Sequence, residues 1–310
     1  AAAAAAAAAA GSEGPPAEVV HVTAALGEEG REGVDFEELA EEIASEEICL
    51  LYHAYGDPTN GHRSQNTTLY ADQKTNIFEF EGPDGKPIQV SQQTDRLRLG
   101  GVTGCVVWNG AIVLAKALAA WTKQFELSLE GMRIVELGAG TGALAIALAA
   151  LGAIVIATEQ QERLKLLQKN LERAGKSTPS SSSCSIGSRG GTACVQEVDW
   201  SSPGKSIDCD LLVATDVVFH EQAHAFSDAI LSKVTMDLVR CLSTYENTPM
   251  ILTVELRTET VHEVFIKALV AAHFCVHRLP TQAFPEDVQT RRVVTYILSR
   301  PGMLLSGPCG

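Results

Sequence analysis

The stretch Ile134-Val135-Glu136-Leu137-Gly138-Ala139-Gly140-Thr141-Gly142 decides the fold of this chain. An apolar run leads into three alternating glycines, and a second apolar segment follows at once. This order is typical of a buried strand that turns sharply into a helix, because glycines permit a tight turn and let a ligand approach the backbone. The helix N-terminus behind the turn presents unpaired N–H groups. Taken alone, the turn also fits a dinucleotide-binding pattern, so its surroundings must separate the two interpretations.

Strand and helix patterns alternate around this turn. The predicted strands of the sheet are 133–137, 153–158, 193–198, 211–215, 250–255, 274–279 and 293–298, and the predicted helices are 111–121, 142–151, 162–174, 223–242 and 260–272. The last two strands leave no room for a helix between them and should pair antiparallel. The pattern predicts a Rossmann-like, doubly wound α/β sheet of seven strands, mostly parallel, with a C-terminal antiparallel hairpin. A separate hairpin is predicted at 77–90.

Composition divides the chain into five segments. Residues 1–33, which begin with ten alanines and continue with Gly, Pro and Glu, are expected to form a disordered, low-complexity arm. Residues 34–76 predict an acidic amphipathic helix followed by a polar loop. The folded domain is expected to cover 77–300, with a serine-rich, flexible insertion at 176–192. Residues 301–310 are predicted to form a flexible tail.

The net charge of −14 is unevenly distributed. Residues 1–52 carry twelve acidic residues and one basic residue, which leaves the remainder nearly neutral. Neither part has the basic surface that sequence-independent nucleic-acid binding requires, and no apolar run reaches the ~18 residues of a membrane span. We therefore expect neither generic nucleic-acid binding nor a membrane segment. The expected location is cytoplasmic or nuclear, and an organelle is not excluded. The eight cysteines lack CxxC spacing and are expected to be reduced thiols.

Acidic residues lie at the carboxyl ends of several predicted strands. This is the edge at which an open parallel sheet binds its ligands. Glu136 lies directly before the glycines, where it would repel a pyrophosphate but can help to hold a cationic amino group. Glu159 follows the second strand, where an acceptor can bind both hydroxyls of a ribose. Asp199 and Trp200 follow the third strand, where a carboxylate and an aromatic ring can hydrogen-bond and stack on an adenine.

Four pieces of sequence carry a resemblance to a known family. They are Val107-Trp108-Asn109-Gly110-Ala111, the segment Glu136-Leu137-Gly138-Ala139-Gly140-Thr141-Gly142, the pair Asp199-Trp200, and Thr215-Asp216-Val217-Val218-Phe219. With them the chain resembles the seven-β-strand (class I) S-adenosylmethionine-dependent methyltransferases, and within these the methyltransferase-like protein-lysine methyltransferases. The resemblance covers 77–300, which it identifies as a methyltransferase domain. The absence of an [Asn/Asp]-Pro-Pro-aromatic motif after the fourth strand argues against amino-methylation of adenine, cytosine or glutamine.

The resemblance implies S-adenosyl-L-methionine as the cofactor and assigns residues to it. The implied cofactor-binding residues are Trp108, Glu136, Gly138, Gly140, Glu159, Asp199 and Trp200. Asp216 and Phe219 are the implied catalytic residues at the acceptor. Asp216 can orient an ammonium group and pass its proton to water, and the ring of Phe219 can stabilise the cation.

The expected reaction is methyl transfer to a side chain of a protein substrate, with lysine favoured over arginine or histidine by the resemblance alone. A non-catalytic subunit that keeps this fold in a larger protein assembly stays open as an alternative. A small-molecule methyltransferase is a further alternative.

One motif indicates different chemistry. His220-Glu221-Gln222-Ala223-His224 matches HExxH, which on a helix supplies two zinc ligands and a general base. The extended pattern requires glycine and histidine downstream, where this chain has Ser227 and Ile230. The motif also follows a predicted parallel strand and abuts the methyltransferase-like motif. We therefore expect no metal site, and a zinc metalloprotease remains a remote alternative.

Overall fold

The computed structural model describes residues 71–100, 102–177, 183–218, 228–256, 259–290 and 292–303. Several predicted features lie outside these residues, namely the arm at 1–33, the acidic helix ending near 52, Phe219, the motif His220–His224 and the tail from 304 onward. Within the described residues, no helix has the length and apolarity needed to cross a membrane.

The described residues form eleven strands and six α-helices. The strands are β1 (Ile77–Glu81), β2 (Pro87–Ser91), β3 (Arg133–Leu137), β4 (Ile154–Glu159), β5 (Lys176–Ser177), β6 (Cys184–Ile186), β7 (Gly191–Glu197), β8 (Leu211–Thr215), β9 (Met250–Glu255), β10 (Cys275–Arg278) and β11 (Val293–Ser299). The helices are α1 (Thr94–Gly100), α2 (Asn109–Gln124), α3 (Ala143–Ala150), α4 (Leu164–Ala174), α5 (Asp228–Ser243) and α6 (Glu259–Ala271).

Nine of these strands form one sheet in the order β10-β11-β9-β8-β3-β4-β7-β6-β5. The strands from β9 to β7 are parallel, and β11 lies antiparallel between β9 and β10. The chain winds from β3 outward to β7 and then crosses back to β8. This confirms the predicted doubly wound α/β sheet with a C-terminal antiparallel hairpin. The crevice at the carboxyl ends of β3 and β8 is the switch point where such sheets bind ligands.

Two strands of the sheet were not predicted. β5 and β6 come from 176–192, where a flexible insertion was expected, and β6 pairs antiparallel with β7. Cys184 and Ile186 are buried on either side of the half-exposed Ser185. The prediction of a flexible insertion is therefore wrong for the residues flanking 178–182. The alternation of buried and half-exposed residues in β6 is only three residues long and lies in a stretch rich in serine and glycine, so it did not indicate a strand. The sheet consequently has nine strands where seven were predicted.

The core lies in two layers, one on each face of the sheet. One cluster joins the sheet to α2, α3 and the β1–β2 hairpin, and the other joins it to α5 and α6. All eight residues of α3 are buried, as expected for a helix that is apolar on every face. The α3 helix also approaches β7 closely, since a Cβ on Gly191 would lie 1.9 Å from the carbonyl oxygen of Ala149.

The hairpin predicted at 77–90 is present as β1 and β2. Phe78 pairs with Val90 and Phe80 with Ile88, and these four side chains form its buried face. Alternation of buried and exposed positions thus places one face of the hairpin on the helical layer.

A buried amide connects this hairpin to the glycine turn. The Oδ1 of Asn170 accepts the Ser91 N–H at 2.8 Å, and its Nδ2 donates to the carbonyl oxygens of Ser91 at 3.0 Å and Thr141 at 2.9 Å. Asn170 is fully buried, so no solvent can replace these bonds. One side chain of α4 therefore holds two distant segments together.

We expect Asn170→Ala to lower the free energy of unfolding by about 2–4 kcal/mol, because it leaves three buried backbone groups without partners. The control is Gln168→Ala on the same helix, which removes only an exposed hydrogen bond to Glu172 and should change stability by no more than about 0.5 kcal/mol. Denaturant unfolding of both variants provides the measurement. Equal losses of unfolding free energy in the two variants would contradict the role of Asn170 in holding the two segments together.

Candidate active site

The turn after β3 has the backbone conformation that its glycines predict. Gly138, Gly140 and Gly142 have φ angles of 67°, 54° and 82°, in the left-handed region that favours glycine. The N–H of Ala139 donates to the carbonyl oxygen of Thr158 at 2.9 Å, which fixes the turn on β4. We call residues 138–142 the glycine loop.

Trp200 packs against this loop. A Cβ on Gly138 would lie 3.1 Å from Cζ2 of Trp200 and 3.0 Å from Cγ1 of Val217. Asp199, in contrast, is exposed, and its Oδ1 accepts hydrogen bonds from the N–H and hydroxyl of Ser201 at 2.9 and 2.8 Å. The indole thus lies beside the loop, while the neighbouring carboxylate stabilises a local turn.

Glu159 also reaches the glycine loop. Its Oε2 accepts the N–H of Gly140 at 3.0 Å, and its Oε1 accepts the N–H of Gln160 at 2.9 Å. Arg163 donates to the same Oε1 at 3.1 Å, an ion pair that the sequence analysis missed. Only 6% of Glu159 is exposed. The i,i+4 spacing of the two residues is the one feature of the sequence that pointed to this pair.

Trp108 is connected to the glycine loop through another segment. Its Nε1 donates to the carbonyl oxygen of Thr103 at 2.9 Å, at the start of the 3-10 turn Thr103–Cys105. The carbonyl oxygen of Gly104 in this turn lies 3.3 Å from where a Cβ on Gly140 would be. Trp108 therefore stabilises a turn that covers the loop.

Glu136 is the most deeply buried carboxyl group of the site. Its Oε2 has no hydrogen-bond partner among the described residues. Burial raises the pKa of Glu136 to about 8, the amide of Ala145 opposes this increase, and the charge of Glu159 adds to it. At neutral pH the group is mostly protonated, and a cation beside it would favour the ionised form.

Asp216 anchors a helix to the sheet. Its Oδ2 accepts the N–H of Gly110 in the first turn of α2 at 2.7 Å, and its Oδ1 accepts the N–H of Glu255 at 2.8 Å. A Cβ on Gly110 would lie 2.6 Å from Oδ2, which explains the glycine at that position. Asp216 thus has a structural role, and its contact with an acceptor stays a prediction. The predicted partner of this contact, Phe219, lies outside the described residues.

Glu255, at the end of β9, was missed by the sequence analysis. Its Oε2 accepts a hydrogen bond from Nδ2 of Asn109 at 3.2 Å, and its Oε1 pairs with Nη2 of Arg292 at 3.1 Å. An acidic residue directly after a predicted apolar strand was the available signal, as it was for Glu159. The structure therefore brings four buried carboxyl groups to the carboxyl edge of the sheet, those of Glu136, Glu159, Asp216 and Glu255.

Such an edge suits ligands with cationic groups and hydroxyl donors, because buried carboxylates require charged or hydrogen-bonding partners. Among the residues that the structure describes, no group of three or more His, Cys, Asp and Glu side chains is arranged to hold a metal ion.

Known proteins resemble this chain in sequence. It is 35% identical over 166 residues to the protein-lysine methyltransferase METTL21E of Bos taurus, which is 52% of this chain and 48% of that protein. It is 31% identical over 188 residues to the protein N-lysine methyltransferase METTL21A of Danio rerio, 57% of this chain and 76% of that protein. The chain thus spans about half the length of the METTL21E protein and three quarters of METTL21A.

Solved structures resemble the fold more distantly. Magnesium protoporphyrin IX methyltransferase from Synechocystis PCC 6803, with bound SAH, has a TM-score of 0.40 and 16% identity over 60% of this chain and 82% of its own. The glycopeptide N-methyltransferase MtfA complexed with sinefungin has a TM-score of 0.42 and 14% identity over 62% of this chain and 87% of its own. Both likenesses are too distant to support an argument about this site.

A family model described as lysine methyltransferase matches residues 84–270. This match extends from the turn of the β1–β2 hairpin almost to the end of α6, and it includes every site residue described above except Arg292. Because it covers more than half of the chain, the chain belongs to the lysine methyltransferase family.

Proposed function

We propose that this chain is an S-adenosyl-L-methionine-dependent methyltransferase that methylates lysine side chains of a protein substrate. The observation that carries the proposal is the glycine loop at the switch point of the sheet, bordered by four buried carboxyl groups, in a member of the lysine methyltransferase family. The names of the METTL21 relatives support lysine in a protein as the acceptor.

The residues at the loop fit the chemical groups of this cofactor. Glu136 has a buried oxygen without a hydrogen-bond partner among the described residues, and an ammonium group would supply one. Glu159 offers a carboxylate beside the N–H of Gly140, where ribose hydroxyls can donate to it. The ring of Trp200 lies against Gly138 and can stack on an adenine. The predicted role of Asp199 requires it to turn from its bond with Ser201.

When bound, S-adenosyl-L-methionine supplies an electrophilic methyl group on its sulfonium. A lysine amine has a pKa of about 10.4 and must lose a proton before it can attack. Asp216 directly follows β8, where the N–H groups of Gly110 and Glu255 hold its carboxylate at the carboxyl edge of the sheet beside the glycine loop. We assign to Asp216 the orientation of the incoming amine and the transfer of its proton to water. Glu255, held by Asn109 and Arg292, lies at the same end of the site.

Charge also favours a basic acceptor. The net charge of −14 attracts cationic peptides over distances up to about a Debye length, roughly 8–10 Å at moderate ionic strength. The acidic residues of 1–52 contribute most of that charge. We therefore propose a lysine within a basic stretch of the substrate, and this attraction should weaken with salt.

The experiment that tests the function combines the purified chain, methyl-labelled S-adenosyl-L-methionine and a cell extract, with the labelled residue identified by mass spectrometry. We expect label in methyl-lysine of a protein. The matched control is Gly140→Val, which introduces a side chain at a left-handed φ and against Gly104. Label on arginine, histidine or a small molecule would contradict the lysine assignment, and no cofactor binding at all would favour a non-catalytic subunit.

Glu136→Gln should change stability in a pH-dependent way. The folded-state pKa of about 8 lies above the ordinary value of 4.5, so the fold loses stability as pH rises between these values and is constant above about 8. Glutamine cannot ionise, so the variant does not lose this stability. The unfolding free energy of the variant minus that of wild type should therefore be about 2–5 kcal/mol larger at pH 9 than at pH 4.5.

Denaturant unfolding across this pH range, without cofactor, gives the measurement, and exposed Glu197→Gln serves as the control. The same Glu136 variant should bind S-adenosyl-L-methionine more weakly, because its ionised form is lost. A difference in stability that does not depend on pH would rule out a carboxyl group that is protonated in the fold.

Asp216→Ala should reduce both stability and turnover. Loss of the acceptors for two buried N–H groups should cost about 2–4 kcal/mol of unfolding free energy. Loss of amine orientation should lower the methyl-transfer rate by about 100-fold or more, with cofactor affinity changed by only a few fold.

The control for this variant is Asp210→Ala at the opposite end of the same strand, where a carboxylate accepts the backbone N–H of Arg133. It should leave the turnover of folded protein unchanged. Rates must be normalised to the folded, cofactor-bound fraction. Full activity of folded Asp216→Ala would remove the proposed role in turnover and leave only the structural one.

A further inference from the structure

The carboxylate of Glu159 has few open positions for a ligand. Its Oε1 already accepts two hydrogen bonds, from Gln160 and Arg163, and its Oε2 accepts one, from Gly140. A carboxylate oxygen has two lone-pair positions, so the hydrogen bonds from the described residues leave one position on the whole group. Two vicinal ribose hydroxyls need two such positions, one for each hydrogen bond that they donate. One existing donor must therefore leave when a ribose binds.

Arg163 is the donor that can leave. The other two donors are backbone N–H groups, one in the glycine loop and one directly after β4. Nη1 of Arg163 also donates to Oε1 of Gln160 at 2.8 Å, and 21% of its side chain is exposed. The guanidinium therefore keeps a partner and gains water when it releases Glu159, whereas a displaced backbone N–H would break a turn.

The stem of Arg163 is packed beneath the turn that covers the loop. A Cβ on Gly104 would lie 2.7 Å from Cδ of Arg163 and 3.2 Å from Oε2 of Glu159. The arginine and the Thr103–Cys105 turn therefore enclose the same carboxylate. Because only 6% of Glu159 is exposed, its charge needs a partner whenever no ligand is present.

We propose that Arg163 is an internal competitor for the ribose-binding carboxylate and sets the affinity for adenosine-containing cofactors. It occupies the position that a ribose hydroxyl takes on Glu159, and it neutralises this buried charge in the free protein. The chain therefore gives up part of its cofactor affinity for stability of the empty site. This inference rests on the proposed function.

The test is calorimetric titration of the full chain with S-adenosylhomocysteine and with its 2′,3′-dideoxy analogue. Arg163→Met keeps the length of the stem and removes the competing donor. We expect the variant to bind S-adenosylhomocysteine about five- to tenfold more tightly than wild type. This gain corresponds to the energy of the charge-assisted hydrogen bond that the ribose no longer has to displace, reduced because Arg163 is partly exposed to solvent. The dideoxy analogue has no hydroxyl to compete, so its affinity should change by less than about twofold.

Arg173 is an exposed arginine in the last turn of α4, the helix that begins directly after Arg163. Arg173→Met controls for the change in net charge and should leave both affinities unchanged. Without ligand, the Arg163 variant should also have a lower Tm than wild type, because Glu159 loses its only ion-pair partner among the described residues and keeps two backbone N–H donors.

Each other outcome contradicts the inference. Equal or weaker binding of S-adenosylhomocysteine by Arg163→Met would mean that the arginine does not compete. An equal gain for the dideoxy analogue would assign the effect to general charge and not to the ribose. If wild type and both variants all fail to bind S-adenosylhomocysteine, the proposed function itself fails, a result distinct from failure of the competitor alone.

Discussion

Hydrogen bonds from backbone N–H groups to buried carboxylates hold the carboxyl edge of the sheet together. Asp216 accepts the N–H groups of Gly110 and Glu255, and Glu159 accepts that of Gly140. Regular hydrogen bonding stops at the first turn of α2, at the end of β9 and in the glycine loop, so N–H groups there need other acceptors. Carboxylates meet that need and at the same time place hydrogen-bond acceptors where ligands bind. Structural and chemical demands are therefore met by the same side chains.

Much of the fold was predictable from sequence because its central strands are almost fully buried. The bounds of β3, β8 and β9 match the predicted ones, since each strand is built mostly of apolar residues. The short elements were not predictable in this way. Helix α1 has seven residues, and β5 and β6 have two and three, so all are too short for a periodic pattern to stand out.

The candidate site was predictable only in part, for a related reason. The glycine loop and the position of Glu159 follow from local sequence, because strand ends and glycine turns are local features. The bond between Asp216 and Gly110 joins residues 106 positions apart, and that between Asn109 and Glu255 joins residues 146 apart. One sequence contains no pattern that pairs such distant residues. Trp108 was expected at the cofactor, and its bond to Thr103 likewise becomes visible only in three dimensions.

The position of β11 has a consequence for how the protein is made. Among the described strands it is the last in chain order, yet it lies inside the sheet between β9 and β10, with Tyr296 and Leu298 fully buried. A ribosome releases it only after the other described strands of this sheet have emerged, so until then β9 has an unpaired edge. Arg292, directly before β11, reaches Glu255 only when that strand is inserted. This end of the site is therefore completed only after β11 has emerged, and a nascent chain arrested before residue 292 would lack the ion pair between Arg292 and Glu255.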